Sequence, residues 1–229
     1  MRRVNFLRNW LEPRLLAVAA AVTAALWLFI EVGEEVVEGE THAVDSAILL
    51  ALRAPGDAGD PLGPPWLEAA ARDITALGSF PVLGLVILSA TAFLLLSGRR
   101  RTALFLLLST AGGALASVLL KAAYDRPRPE LVAHGDYVLS ASFPSGHAMI
   151  SALVYLTLGA LIARLLPARR EKLFVLGVAL ALSGLVGASR VYLGVHWPTD
   201  VLAGWAAGAA WALGWWAVAE LWGRRGETA

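Results

Sequence analysis

Cysteine is missing from this chain altogether. Disulfide staples and thiolate metal sites are therefore excluded. Charge is scarce too: Asp, Glu, Lys and Arg supply 16% of the 229 residues, where a soluble domain carries about 25%. Neither sign dominates, and the formal net charge of +1 gives no electrostatic footprint for nucleic acid. What fills the space is apolar: 58% of residues are hydrophobic. They are gathered into long blocks, not spread as a soluble core would spread them, which is the signature of membrane-crossing helices. A single domain over residues 1–229 is expected.

Six apolar blocks stand out: Leu15–Ile30, Leu77–Leu96, Thr102–Leu120, Ala148–Ala163, Leu173–Ala188 and Val201–Ala219. None contains a charged residue. A span needs about 20 residues. Three of the blocks have only 16, so their polar flanks must reach the headgroups. Helices of a soluble core would show a polar face, and these blocks have none. The expected fold is all-α, a six-transmembrane helix bundle. The basic start followed by Leu15–Ile30 is reminiscent of a secretory leader. The residues that follow, Glu31-Val32-Gly33-Glu34-Glu35, offer no small-residue cleavage site, so the block reads as an uncleaved first span.

Charge sorting sets the orientation. Arg2, Arg3, Arg8, Arg14, Arg99, Arg100, Arg101, Arg164, Arg169, Arg170, Lys172, Arg224 and Arg225 all fall on one side of a six-span arrangement. Residues 31–73, on the other side, hold ten acids and only Arg53 and Arg72. The excess of Lys and Arg marks the cytoplasmic side, which predicts both termini in the cytoplasm. Residues 31–76 form an extracytoplasmic segment, either a structural cap or a substrate lid. Within it, Ala43–Arg53 reads as a short amphipathic helix on the membrane surface. Pro55-Gly56-Asp57 and residues 60–65 read as turns, and Trp66 as an interfacial anchor. Gly112-Gly113, Gly184 with Gly187, and Gly204 with Gly208 mark close helix packing. The sequence says nothing of oligomeric state.

Ionisable residues cluster at the edges of three apolar blocks, where charge is costly and is kept for function. They are Lys121 with Arg128-Pro129, Pro144-Ser145-Gly146-His147, and Ser189-Arg190 with His196 and Asp200. Lys121, Arg128 and Arg190 can hold a phosphate dianion, Arg by its planar fork and Lys as a point charge. Ser145 can donate its hydroxyl, and Gly146 lets backbone approach an oxyanion at the start of a helix. A histidine beside a carboxylate can serve as nucleophile or base, and the second histidine as general acid. An Asp200 that accepts from one nitrogen of His196 would fix the tautomer and free the other nitrogen. Each residue alone has a plainer reading: Lys121 as a snorkelling anchor, the histidines as structural groups or metal ligands. A metal is disfavoured, because one carboxylate among three cations would repel a divalent ion. Arg126 is expected to support the site or contact a headgroup. His42, His134, Asp125, Glu130 and Asp136 read as ordinary loop residues.

The spacings K-x6-R-P, P-S-G-H and S-R-x5-H-x3-D, in this order over Lys121 to Asp200, resemble the type 2 phosphatidic acid phosphatase (PAP2) superfamily, which also contains vanadium haloperoxidases. The resemblance implies a bacterial integral-membrane lipid phosphatase of the inner membrane, with its site facing the exterior and no metal or cofactor. It implies His196 as the nucleophile that forms a phosphohistidine, Asp200 as its orienter, and His147 as the group that protonates the leaving oxygen. Lys121, Arg128, Ser145, Gly146 and Arg190 would bind the phosphate. Bacterial members of this kind act on undecaprenyl diphosphate, phosphatidylglycerophosphate, phosphatidic acid or lipid A. Undecaprenyl diphosphate is preferred as the most general need on that face. Two other classes compete: a vanadium haloperoxidase-like enzyme, against which the six spans argue, and a non-hydrolytic phospholipid transporter, which would need cations but no nucleophile.

Overall fold

The computed structural model describes residues 13–131 and 140–226, with side chains through Trp222. In chain order the elements are α1 (Pro13–Glu38), α2 (His42–Ala51), β1 (Arg53–Ala54), β2 (Asp57–Pro61), α3 (Pro65–Ala76), α4 (Phe80–Leu96), α5 (Arg100–Tyr124), α6 (Gly146–Leu165), α7 (Arg169–Tyr192) and α8 (Pro198–Gly226). Five of these helices are long and apolar enough to cross a membrane, and a sixth is counted if the α3–α4 pair, bent by 46°, is taken as one span. The bundle carries its large apolar side chains outward, Leu96 at 89% exposure and Phe174 at 72%. Such a surface suits lipid, in which only internally hydrogen-bonded helices or closed barrels can span.

Helix α6 is the centre of the bundle: 56% of its most apolar window is buried, against 17% for α1. Small residues let α8 lie directly on it. A Cβ added at Gly204 would stand 2.7 Å from the Ser145 carbonyl oxygen, and one at Gly208 2.4 Å from that of Met149. Gly113 meets Leu153 and Gly187 meets Trp205 at similarly short range. The glycines expected to mark close packing do so, except Gly184, which has nothing within 4 Å. The α6–α8 approach sets the first turns of the two helices side by side, and Ser145 N donates to the Asp200 carbonyl at 2.9 Å.

Two elements differ from expectation. The second span was expected over Leu77–Leu96, but helix α4 begins at Phe80 and has 17 residues. At 1.5 Å per residue this is about 26 Å, short of a hydrocarbon core of about 30 Å. The chain breaks because Pro81 sits in the first turn and Ser79 caps it, accepting from Val82 N at 3.5 Å. Gly78 lets the break press onto α7: a Cβ there would lie 2.4 Å from Val186 Cγ1. Helix α2 also departs from a surface-lying helix. Asp45 and Leu49 are fully buried, and Leu49 packs with Ala148, Val191 and Val201 of α6, α7 and α8. The turn at Pro55-Gly56-Asp57 closes a two-stranded antiparallel hairpin, Arg53 opposite Pro61, with Gly56 at φ +88.

Candidate active site

The C-terminal ends of α5 and α7 and the N-terminal ends of α6 and α8 meet at one end of the bundle. Lys121 lies in the last turn of α5, Arg190 in the last turn of α7, and Asp200 in the first turn of α8. Ser145 caps α6, its hydroxyl accepting from Ala148 N at 3.5 Å. After α7 the chain turns through Gly194 at φ +74, a backbone state that favours glycine. Val195 N donates back to the Arg190 carbonyl at 3.2 Å. That turn aims His196 inward, 2% exposed.

Asp200 is fully buried and accepts from several donors. Its Oδ1 takes Arg126 Nη1 at 2.6 Å, and its Oδ2 takes Trp197 N at 3.0 Å, His196 Nδ1 at 3.3 Å and the Ser142 hydroxyl. An ionised carboxylate only accepts, so Nδ1 of His196 carries its proton and Nε2 its lone pair. Arg128 Nη1 stands 3.2 Å from Nε2 and donates to the Val195 carbonyl at 2.7 Å. Burial pushes the His196 imidazole down to about 4, with the bond to Asp200 opposing, so the ring is neutral at physiological pH. Lys121 Nζ donates to the Ala141 carbonyl at 2.6 Å. Its Cε lies 3.4 Å from where a Gly146 Cβ would stand, so glycine leaves the cation beside the helix start.

A cavity of about 350 Å³ opens beside this cluster, walled by Arg72, Thr75, Ala76, Ser79, His147, Arg190, Leu193 and Val195. Arg190 is 2% exposed and its Nη1 donates to Thr75 Oγ1 at 3.1 Å. Helix α3, expected to be part of a cap, is therefore a wall of the site. The structure brings the two histidines, Asp200, the three cations, Ser145 and Gly146 to one place. Among the described residues, no group of three or more His, Cys, Asp or Glu side chains converges as a metal ligand set.

Other residues were not singled out from sequence. Asp45, a lone acid inside an apolar stretch, pairs with Arg126 at 2.8 Å, and that lone acid was the available signal. Ser142 contacts both Asp200 and His196, and nothing local to it marks it. Of the expected loop residues, Asp125 ends α5 at φ 43 and Glu130 is exposed, but His42 is not in a loop: it opens helix α2 and stands edge-on to the Trp197 ring at 5.3 Å. His134 and Asp136 lie outside the described residues.

Clustered cations around a buried His–Asp pair, at one end of a membrane-spanning bundle, define a class: membrane enzymes that act on phosphate groups. The PAP2 superfamily model matches residues 102–224, more than half of the chain, and the chain belongs to that superfamily. It is a membrane lipid phosphatase. Phosphatidylglycerophosphatase B of Bacillus subtilis is 39% identical over 149 residues, 63% of this chain and 71% of that protein. Undecaprenyl-diphosphatase of Sulfolobus acidocaldarius is 35% identical over 125 residues, 52% of this chain and 56% of that protein. Among solved structures, the transmembrane PAP2 type phosphatidylglycerolphosphate phosphatase of Bacillus subtilis superposes with a TM-score of 0.79 at 30% identity, over 87% of this chain and 96% of that one.

Proposed function

We propose that this enzyme removes the terminal phosphate of a lipid diphosphate or lipid phosphate on the extracytoplasmic side, without a metal, through a phosphohistidine on His196. The observation that carries the reading is the ordering of His196: Nδ1 toward Asp200 Oδ2 at 3.3 Å and Nε2 toward Arg128 at 3.2 Å. A phosphate that takes over the Arg128 donors would sit against the Nε2 lone pair. That nitrogen attacks phosphorus, the bond from phosphorus to the lipid oxygen breaks, and the electron pair leaves with that oxygen. His147 gives the oxygen its proton. Asp200 steadies the phospho-imidazolium. Water then attacks phosphorus, the P–N bond breaks, and His147 takes the proton from water. Inorganic phosphate departs and His196 regains its lone pair. Lys121, Arg128 and Arg190 bind the equatorial charge as it redistributes.

Undecaprenyl diphosphate is the preferred substrate, and the undecaprenyl-diphosphatase relative supports it. A second reading, phosphatidylglycerophosphate, is favoured by the phosphatidylglycerophosphatase B relative and by the superposable structure. Phosphatidic acid and lipid A are further alternatives. Both leading substrates carry a second phosphate near the scissile one, and the cavity wall includes Arg72, which is paired with Glu68 at 2.5 Å. The test is phosphate release from a panel of purified lipids in detergent with EDTA present. Undecaprenyl diphosphate turned over faster than phosphatidic acid, with EDTA without effect, is the expected result. A requirement for added divalent metal would contradict the mechanism, and release from none of the lipids would contradict the function.

A further inference from the structure

Arg126 was expected to support the site or touch a headgroup, and its surroundings decide between these. Its guanidinium is wedged between two carboxylates that are both fully buried. Nη1 donates to Asp200 Oδ1 at 2.6 Å and to Thr199 Oγ1 at 2.9 Å. Nη2 donates to Asp45 Oδ2 at 2.8 Å and to Thr41 Oγ1 at 3.1 Å. A guanidinium has four terminal N–H groups, and these four bonds use them all. Arg126 thus has no terminal donor to turn toward a phosphate. Arg128 differs, because its donors reach carbonyls and His196 Nε2, which a phosphate can replace.

Asp45 is fixed in turn. Thr199 N donates to its Oδ1 at 3.0 Å and Thr199 Oγ1 to its Oδ2 at 2.6 Å. The Trp197 ring lies 5.4 Å from the Arg126 guanidinium carbon, and its Nε1 is anchored to the Pro127 carbonyl at 3.1 Å. Among the described residues, those that hold the Arg126 guanidinium therefore come from α2 and the turn before it, or from the segment 197–200, while Ser142 N donates to its backbone carbonyl at 2.8 Å. Arg126 occupies Oδ1 of Asp200, which leaves Oδ2 to face His196 Nδ1.

We propose that Asp45 and Arg126 are positioning residues that hold the Asp200 carboxylate in the orientation His196 needs, so that helix α2 is a working part of the active site. The inference rests on the reading of His196 as nucleophile. A carboxylate free to rotate would let the imidazole swing, and a misplacement of about 1 Å can cost about 100-fold in rate. An ammonium at position 126 keeps the charge but cannot bridge two carboxylates in one plane.

The test compares wild type with Asp45→Asn, Arg126→Lys and His196→Ala, purified in detergent and checked for a monodisperse folded peak. It measures kcat and KM on the best substrate of the lipid panel, and the inhibition constant of orthovanadate as a phosphate mimic. Asp45→Asn and Arg126→Lys should lower kcat per folded enzyme by roughly 10- to 100-fold, with the vanadate constant within about twofold of wild type. A vanadate constant that rises as far as kcat falls would make Arg126 a direct phosphate ligand and overturn the proposal. Unchanged turnover per folded molecule would reduce the pair to scaffold and overturn it equally. Should Arg126→Lys not fold, Asp45→Asn decides alone, because it is isosteric and leaves Arg126 to neutralise Asp200. His196→Ala separates the two layers: activity retained there sinks the nucleophile reading itself, whereas activity lost there with normal Asp45→Asn sinks only the positioning role.

Discussion

At the scale of single residues, the site divides its cations by what they can still bind. Arg128 and Lys121 hold backbone carbonyls through bonds a phosphate can exchange for its own, whereas Arg126 is committed to carboxylates. Changing Lys121, Arg128 or Arg190 to Ala should weaken orthovanadate inhibition and slow turnover together, since these groups bind charge in both ground and transition states. His147→Ala should slow release of an alkyl alcohol far more than that of p-nitrophenol, which needs little protonation. Equal losses on both substrates would remove His147 from the general-acid role. His196 supplies a pH prediction. Its imidazole is held at about 4 against an ordinary value of 6.5, so the unfolded chain binds its proton first as pH falls. Stability should therefore drop as pH falls from about 6.5 to about 4 and level off below. The thermal midpoint of wild type should fall more steeply over that window than that of His196→Gln, and parallel curves would show that the ring is not held neutral by the fold. The motif residues were legible because their spacing is fixed along the chain. Asp45 and Ser142 were not, because Asp45 meets Arg126 from 81 positions away in sequence and Ser142 meets Asp200 from 58, distances that no local pattern encodes.

At the scale of elements, small residues decide where the catalytic helix ends sit. Gly208 has the Met149 carbonyl where a Cβ would go, at 2.4 Å, and backbone cannot yield as a flexible side chain does. Gly208→Ala should push α8 off α6, lower the thermal midpoint by the equivalent of roughly 1–3 kcal/mol and cut activity, because Asp200 travels with α8. Gly184→Ala meets nothing within 4 Å and should be neutral or slightly stabilising by helix propensity. Equal effects from the two would contradict the packing account. Hydropathy found each apolar block, since lipid imposes that pattern directly. It missed the helix break at residues 77–79 and the inward set of α2. The break comes from one cap and one proline, and α2 is drawn in by an ion pair whose partner lies beyond α5.

At the scale of the whole molecule, every site residue lies at one end of the bundle, and the basic helix ends and turns over 97–101 and 164–172 lie at the other. Charge counting predicts that this basic end faces the cytoplasm. The absence of cysteine makes this readable with single probes. A Cys at exposed Asp60 should react with a membrane-impermeant maleimide in intact cells, and one at exposed Ser97 only after permeabilisation. The reverse pattern would turn the site to the cytoplasm and exclude an outer-leaflet substrate.

The central claim is that His196 becomes covalently phosphorylated during turnover, and it can be measured directly. Wild-type enzyme mixed with substrate labelled in the terminal phosphate, quenched within milliseconds and kept alkaline, should carry label on protein. That label should be stable to base, released by acid, and mapped to the peptide containing His196. His196→Ala should carry none and turn over several orders of magnitude more slowly. Labelled phosphate released by wild type at full rate with no protein-bound label at any quench time, or a His196→Ala enzyme retaining more than about a tenth of wild-type rate, would contradict the mechanism.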